Sequence, residues 1–164
     1  MHDPRFGLIA GVPIGKIFEN RHALYAANIH TRIYAGISGS KNEGAFSIVV
    51  SGSYEDNRDS GDTLEYTGTG GQKNSFSKPG AQTYDQSFDH QHNRALQRSF
   101  ETRKPVRVIR GPNANPKFAP ASGYRYDGLY VVTDAYLTTG TSGFKVCKYE
   151  LERLSGQPAL PSNW

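Results

Sequence analysis

The sequence predicts a mostly β domain with flanking helices, a fold of the α+β class. Eighteen glycines and nine prolines interrupt the 164 residues repeatedly, which favours short strands joined by turns. Several runs of β-branched and aromatic residues lie between these breaks, and only one segment has a clear helical period. The length fits one domain, which we place at residues 6–154, followed by an irregular tail at residues 155–164. We expect a strongly bent sheet or barrel.

The predicted elements begin with a turn-rich entry at residues 5–18, where Gly11 and Pro13 fix bends. Residues 23–37 mix apolar and polar side chains and are predicted to end in a strand. The clearest strands are short apolar or alternating runs. These are AFSIVVSG at 45–52, TLEYTG at 63–68, KPVRVIRG at 104–111, YDGLYVVTDAYL at 126–137 and GFKVCKYELERL at 143–154.

One helix is predicted over residues 83–103. Phe88, His92, Ala95 and Leu96 recur there at i, i+4, i+7 and i+8, which places them on one face of a helix. The single cysteine of the chain falls in the last predicted strand, where it reads as a small buried hydrophobic residue.

Composition excludes several classes of protein. No apolar run approaches the roughly 18 residues of a membrane span, and the first residues lack the pattern of a secretory signal. One cysteine excludes an internal disulfide framework and a multi-cysteine zinc site. The net charge of +4 is compatible with nucleic-acid binding but does not require it.

The acidic and glycine-rich stretch SYEDNRDSGDTLEYTGTGG, at residues 53–71, is unusual in a basic protein. A calcium loop that starts at Asp56 has Arg58 at its third position, where an oxygen ligand is needed. A GxGxxG phosphate loop that starts at Gly68 has Lys73 in place of its third glycine. Consecutive carboxylates in a turn do not face one another, so a solvated turn is preferred to an acid/base pair.

Histidines give no better catalytic pattern. His90, His92 and Asn93 match an HNH nuclease motif by letters alone. On a helix, residues i and i+2 point to different sides, so we expect the two imidazoles not to converge. A structural role is the prediction for both.

A pocket for a flat ligand remains. Tyr54 and Tyr66 lie near the two ends of a turn, and their rings would face each other if the flanking strands lie close together. Two aromatic faces and reachable backbone N–H groups describe a site for an extruded base. Burial of both tyrosines in the core is the alternative, and spacing alone favours it.

Six ordered motifs change this balance, because they resemble the SRA family (SET- and RING-associated, also called YDG). They are GVPIG at 11–15, the stretch from AGISGS to GSYED at 35–56, YTGTGG at 66–71, DQSF with NRAL within 85–96, KPVRVIR at 104–110 and YRYDGLYVV at 124–132. The last contains the family's name-giving Tyr126, Asp127 and Gly128. The resemblance extends over nearly the whole chain.

The resemblance implies a saddle-like, strongly curved β-barrel that binds duplex DNA and recognises 5-methylcytosine or a related base such as 5-hydroxymethylcytosine. The base, commonly in a CpG step, is flipped out of the helix and sandwiched by Tyr54 and Tyr66. The other pocket residues implied are Ser51, Gly52, Ser53, Asn57 and Thr67. The family performs no chemistry itself, so neither enzymatic activity nor a cofactor or metal is expected.

This chain departs from the family pattern at the base edge and in both DNA-inserting loops. Asn57 stands where the family commonly has Asp, so the bond from the cytosine amine would lack charge assistance. Tyr34 stands at the minor-groove loop, where the family can have a small aliphatic residue. Phe76, Ser77 and Lys78 form the major-groove loop in place of an Asn-Lys-Arg tip. A preference for hemimethylated sites is therefore not implied.

The partner expected is double-stranded DNA with modified cytosine. Arg32, Lys41, Lys73 and Lys78 are the candidates for backbone phosphates, and Lys104, Arg107 and Arg110 are weaker ones. Two alternatives stay open: a targeting module of a larger methyltransferase, ubiquitin ligase or nuclease, and a relative that binds DNA or a protein without reading modification. A eukaryotic nucleus or a bacterial cytoplasm fits the composition, and no membrane is expected.

Overall fold

A computed structural model describes residues 5–51, 58–70 and 84–163. Within these ranges the chain forms eight strands and two α-helices. They are, in chain order, β1 (Ile17–Phe18), α1 (Arg21–Ala26), β2 (Ile37–Ser40), β3 (Gly44–Val50), β4 (Arg58–Asp59), β5 (Thr63–Thr67), α2 (Gln91–Thr102), β6 (Val106–Arg110), β7 (Tyr124–Thr139) and β8 (Lys145–Arg153). The predicted mostly β fold with flanking helices is confirmed.

The described strands form one sheet in the order β2-β3-β6-β7-β8-β5-β4, and β1 pairs with β7. Strands β3 and β6 run parallel, whereas the neighbouring pairs β2–β3 and β6–β7 are antiparallel. The path ends at β2 and β4, so the sheet is open among the described residues. The word barrel therefore describes its shape only loosely.

The long strand β7 contains the bends that the glycine-rich sequence predicts. It pairs with β1 at its start, and its ladders with β6 and β8 each contain a register shift. Gly128 lies in this strand with a φ of +102°, a conformation that side-chain-bearing residues rarely adopt. Because bulges bend and twist a strand, β7 changes direction along the sheet.

Helix α2 packs its apolar face on the sheet, as its period predicts, but its predicted N-terminal boundary at residue 83 is wrong. His90 is the N-cap and accepts a hydrogen bond from the backbone N–H of His92 at 3.2 Å. The residues just before the cap are used differently. Gln86 bridges to β5 and β8, and Phe88 packs edge-on against Tyr149 at 6.0 Å.

Two apolar clusters stabilise the fold. The larger lies between α2 and the sheet and includes Leu96, Val108 and Tyr149. The smaller lies beside α1 and includes Leu24, Ile109 and Tyr126. Cys147 is fully buried in the larger cluster, where burial raises the pKa of its thiol to about 12. No described helix combines the length and apolarity needed to cross a membrane.

Candidate nucleic-acid interface

Tyr66 is fixed at the end of β5 by hydrogen bonds that cross the inside of the fold. Its hydroxyl shares one proton between the carbonyls of Gly36, at 3.3 Å, and Val49, at 3.2 Å. The side chain is 5% exposed and belongs to the larger apolar cluster. Because the ring is held at its base and at its tip, its orientation is set before any ligand arrives.

The loop before β2 carries Tyr34, and its backbone is held by one side chain from α1 and one from the start of the loop itself. Arg21, on α1, donates to the carbonyls of Arg32, at 3.0 Å, and Ala35. His30 donates from Nε2 to the same Ala35 carbonyl at 2.9 Å. Between these anchors the Tyr34 side chain is 67% exposed. A large aromatic group is thus presented to solvent on a restrained loop.

His30 is neutral in the folded protein. Its ring is fully buried, and Nδ1 lies 2.7 Å from Ser47 Oγ. Since the carbonyl of Ala35 can only accept, we assign the ring proton to Nε2 and an accepted hydrogen bond to Nδ1. Burial lowers the pKa of His30 to about 3, and the nearby positive charges of Arg21 and Arg107 add to the shift.

Both ends of the segment that contains the predicted pocket residues are attached to Arg110. On one side, Val50 pairs with Arg110 in the parallel β3–β6 ladder, and Gly111 donates to the Val50 carbonyl at 3.0 Å. On the other side, the Asp59 carboxylate accepts two hydrogen bonds from the Arg110 guanidinium, both at 2.7 Å. The last residue of β6 therefore determines the separation between the ends of β3 and β4.

Four buried charges around Arg110 balance one another. Arg110 also contacts Asp127 at 2.8 Å, and Arg125 contacts Asp127 on its other side. The four side chains of Asp59, Arg110, Arg125 and Asp127 are at most 6% exposed. Burial alone lowers the pKa of Arg110, but the hydrogen bonds that Arg110 donates to Asp59 and the charges of the two carboxylates raise it above its usual value. Removing any one member leaves a buried charge unbalanced.

The name-giving triplet of the resemblance has a structural explanation in this network. Tyr126 is fully buried in the smaller cluster. Asp127 is the carboxylate that Arg110 and Arg125 share. Gly128 has its positive φ, and an added Cβ would lie 2.5 Å from Gln157 Oε1. All three residues thus stabilise β7 and the attachment of β3 and β4 to Arg110.

The turn that follows Tyr66 is fixed to α2 and to the segment before it. The Asn93 side chain accepts from the backbone N–H of Thr69 and donates to its carbonyl, both at 2.8 Å. Gln86 donates to the carbonyl of Gly68 at 2.9 Å. Gly68 itself has no room for a Cβ, which would lie 2.5 Å from Asn93 Oδ1. This packing explains why the YTGTGG motif has a glycine at position 68.

Of the predicted pocket residues, the structure describes Ser51, Tyr66 and Thr67. Ser51 directly follows β3, and Thr67 ends β5, with its Oγ1 3.2 Å from the ammonium nitrogen of Lys148. Tyr66 reaches the end of β3 through Val49, so Ser51 and Tyr66 are brought to one region. Four predicted pocket residues lie outside the described residues: Gly52, Ser53, Tyr54 and Asn57.

Among the predicted loop and backbone residues, Arg32, Tyr34 and Lys41 are described, and all three are exposed. The predictions for Lys73, Phe76, Ser77 and Lys78 lie outside the described residues. The weaker candidates Arg107 and Arg110 are buried, with 2% and 0% exposure. Arg107 donates to the carbonyls of Ile29, Arg5 and Gly7. Both guanidiniums are occupied inside the fold.

Sequence reasoning missed several positioning residues and misplaced one pair. Arg21, His30 and Lys148 carry no motif, and only the fold brings them to the loops or to Thr67. The imidazoles of His90 and His92 lie 5.3 Å apart, contrary to the expectation that they diverge. The reason is that His90 is the N-cap of α2 rather than a helical residue. Burial lowers the pKa of His92 to about 4, and His90 and Arg32 contribute.

Fold and site together define a curved, mostly β domain with a buried, hydrogen-bonded Tyr66 near the end of β5 and an exposed Tyr34 on a restrained loop. Among the described residues, no group of three or more His, Cys, Asp or Glu side chains is arranged to hold a metal ion. The chain belongs to the SAD/SRA domain family, whose model matches residues 5–157.

Individual relatives agree with this assignment. The chain is 45% identical to the UHRF1-like protein of Cryptococcus neoformans in an alignment of 172 positions that covers 98% of this chain and 50% of that protein. A modification-dependent TagI restriction endonuclease is 41% identical, with a TM-score of 0.86 over 92% of this chain and 52% of that one. The SUVH5 SRA domain, solved bound to fully hydroxymethylated CG DNA, is 38% identical, with a TM-score of 0.78 over 95% and 98%. The chain thus spans about half the length of the curated relative.

Proposed function

We propose that this domain binds duplex DNA and reads 5-methylcytosine or 5-hydroxymethylcytosine by flipping the base into a pocket between Tyr54 and Tyr66. The single observation that carries the proposal is the Tyr66 ring, which β5 holds at its base and the carbonyls of Gly36 and Val49 hold at its hydroxyl. An SRA domain of similar fold has been solved on hydroxymethylated CG DNA, which supports the class of ligand.

The energetics of flipping require a rigid aromatic wall. Unstacking and unpairing a base costs a few kcal/mol, roughly 2–4, and stacking on an aromatic side chain returns about 1–3 kcal/mol per base. A ring held through Gly36 and Val49 loses little orientational freedom when the base arrives. In the proposed pocket Ser51, Gly52 and Ser53 contact the base edge, Asn57 accepts from its exocyclic amine, and Thr67 borders the 5-substituent.

Two loops and three cations complete the proposed complex. Tyr34 enters the minor groove and fills the space left by the base, as apolar and aromatic wedges do in other kinked duplexes. Phe76, Ser77 and Lys78 approach from the major groove. Arg32, Lys41 and Lys73 contact backbone phosphates and supply the part of the affinity that is independent of sequence.

The domain is proposed to act without chemistry of its own, as the DNA-targeting part of a larger protein. Its share of the Cryptococcus relative and of the TagI endonuclease, about half of each, favours such an arrangement. A ubiquitin-ligase, methyltransferase or nuclease module would then supply the activity. In a eukaryote the place of action would be the nucleus, with chromatin proteins as further partners.

The proposal is tested with duplexes that differ only at one central cytosine: unmodified, 5-methyl in one strand, 5-methyl in both, or 5-hydroxymethyl. Fluorescence anisotropy at fixed salt gives Kd for each. We expect at least one modified duplex to bind about tenfold more tightly, because closely fitting contacts to one small group discriminate by about 1–3 kcal/mol. Equal affinities for all four would reject the reading function.

Two variants of one residue test the pocket wall. Tyr66→Ala removes the stacking face and is expected to abolish the preference for the modified duplex, leaving weak binding that falls with salt. Tyr66→Phe keeps the ring and loses only the hydrogen bonds to Gly36 and Val49, so it should retain most of the preference. A Tyr66→Ala protein that stays folded and keeps full preference would show that the base binds elsewhere.

A further inference from the structure

The outer face of α2 carries a concentration of positive charge next to the β2–β3 turn. Lys41, Asn42, Arg94 and Arg98 line a surface concavity of about 240 Å³. Arg94 and Arg98 lie one helical turn apart, and like charges at this spacing destabilise a helix by about 0.2–0.5 kcal/mol. Folding does not require this pair, so the charges need another explanation.

The local counter-charges are weak or already engaged. Arg98 contacts Glu101 at 3.2 Å, and both side chains are more than 40% exposed. Exposed pairs of this kind contribute at most about 1 kcal/mol and can be exchanged for another anion. Glu43, the carboxylate in the adjacent turn, is paired with Arg5. Arg98 Nε donates to the Asn42 carbonyl at 3.0 Å, which holds the guanidinium beside the concavity.

The position of α2 connects this surface to the proposed base pocket. Asn93, in its first turn, holds Thr69 at the end of the Tyr66 strand. Gly70, six residues before Phe76 of the predicted major-groove loop, faces His90, since an added Cβ would lie 3.7 Å from the ring. His92 is close enough to Arg32, in the Tyr34 loop, to feel its charge. The helix therefore starts close to the end of β5 and to the loop that carries Tyr34.

We propose that Lys41, Arg94 and Arg98 form a phosphate-binding track that carries one DNA strand away from the base pocket along α2. This inference rests on the proposed function. Arg94 and Arg98 follow one stripe of the helix and lie about 6 Å apart along its axis, at 1.5 Å per residue. That length corresponds to roughly two base steps at 3.4 Å each. The track extends the footprint beyond the flipped base without reading sequence.

Salt dependence measures the track directly. Each phosphate contact contributes about 0.9 to the slope of log K against log salt. We expect Lys41→Gln, Arg94→Gln and Arg98→Gln each to reduce that slope by about 1, and the triple variant by about 2 to 3. The loss should be equal on modified and unmodified duplexes, so that their affinity ratio is unchanged. Lys117→Gln, the same charge change in a different loop, is the matched control and should leave the slope nearly as in the wild type.

Duplex truncation locates the track. Shortening the duplex on one side to about four base pairs from the modified base should remove the difference between the wild type and the triple variant, because the outer phosphates are gone. Shortening the other side should leave the difference intact. Slopes of the three variants that match the Lys117→Gln slope would overturn the proposal.

The two proposals fail separately. A wild-type protein with no preference among the duplexes, but with reduced slopes in the three variants, would reject modification reading and keep the track. A clear preference with unchanged slopes would do the reverse. Thermal denaturation of each variant verifies folding, and these exposed substitutions should change the free energy of unfolding by no more than about 0.5 kcal/mol.

Discussion

Removal of the Asp59 carboxylate should separate the two ends of the pocket segment. Asp59→Ala deletes both 2.7 Å hydrogen bonds from Arg110, which is fully buried. The parallel β3–β6 pairing at Val50 is unchanged, so only β4 loses its attachment to Arg110. The perturbation is therefore local in geometry but acts on a buried charge.

The magnitude follows from the balance of charges. With Asp59 gone, Asp127 alone faces both Arg110 and Arg125. Breaking a buried ion pair by removing one partner costs about 3–5 kcal/mol. We expect the lower part of that range, because Arg110 keeps Asp127 and the Gly61 carbonyl, which is 3.0 Å away. For a protein of this size each kcal/mol lowers Tm by about 2–4 °C, so a decrease of roughly 6–12 °C is expected.

Urea denaturation measures the free energy of unfolding, and binding to modified and unmodified duplexes is measured well below the transition. We expect the folded Asp59→Ala protein to lose most of its preference for the modified duplex, because one end of the pocket segment is no longer fixed. Glu65→Ala is the matched control, since its pair with Arg58 is 3.7 Å long and Arg58 is 82% exposed. If Asp59→Ala lowers the free energy of unfolding no more than Glu65→Ala does, the conclusion that Arg110 fixes β4 through Asp59 is refuted.

Three further predictions follow from other parts of the structure. Proton uptake by unfolded His30 should lower the free energy of unfolding by about 1.4 kcal/mol per pH unit as the pH falls from about 6.5 towards 3, because the folded protein, in which the pKa of His30 is about 3, excludes that proton. His92, with a pKa of about 4, adds a similar contribution down to about pH 4, so His30→Asn should reduce the slope by about 1.4 kcal/mol per pH unit; an unchanged slope in this variant would contradict the assignment to His30. Tyr34→Ala should weaken binding to the modified duplex roughly tenfold with little loss of stability. Tyr25→Ala, which also changes an exposed tyrosine, should have no effect on binding. Equal affinities of the two variants would contradict the insertion of Tyr34 into the minor groove. Gly128→Ala should destabilise the fold by about 1–3 kcal/mol in thermal melts, and more than Gly143→Ala, which shares a positive φ but meets no neighbouring atom; the opposite order would show that the contact with Gln157 is harmless.

Much of the sheet could be predicted because its strands are short apolar runs between glycine-rich turns. The run at 45–52 became β3, and the run at 104–111 became β6, with all five residues of β6 buried. Strand β6 is covered on both faces, with Val106 and Val108 in the larger apolar cluster and Ile109 in the smaller one, so its burial does not alternate. Its Arg107 and Arg110 looked solvent-directed in the sequence, yet both find internal acceptors.

Local pattern could not define α1 or the start of α2. The six residues of α1 are too few to show a helical period, and the helix depends on the Asn20 cap and on burial of Leu24. The apolar spacing before α2 continued the helical period by chance. Gln86 shows why the helix does not extend there: its side chain is needed to join Gly68 and Cys147 from two strands.

The parts of the candidate site that carry a sequence motif could be predicted. Side chains that bind residues distant in the sequence could not. The glycine-rich turn after Tyr66 is explained by packing on Asn93, which is adjacent only in the fold. The tyrosine pair itself came from resemblance, since spacing alone favoured burial. No sequence pattern marks Arg21 and His30 as positioning residues. Both bind the carbonyl of Ala35, which lies 14 residues from Arg21 and 5 residues from His30 along the chain.

The distribution of charge, rather than its net value, orients the proposed complex. Arg107, Arg110 and Arg125 contribute to the net charge of +4. They are at most 5% exposed, so their guanidiniums are not accessible to DNA phosphates. The exposed cations of the proposed interface lie on the Tyr34 loop, the β2–β3 turn and α2.

The sheet presents the opposite sign away from α2. Tyr149 donates to the Asn93 carbonyl at 2.7 Å, so its side chain points at α2, and Glu150, the next residue of β8, points to the other face. There Glu65, Glu150 and Glu152 border a concavity of about 300 Å³. A duplex on that face would meet carboxylates, whereas a duplex on the α2 side would meet Arg94 and Arg98. Since phosphate repulsion and attraction act together, the charges favour the proposed orientation, with the Tyr34 loop and the start of α2 towards the duplex.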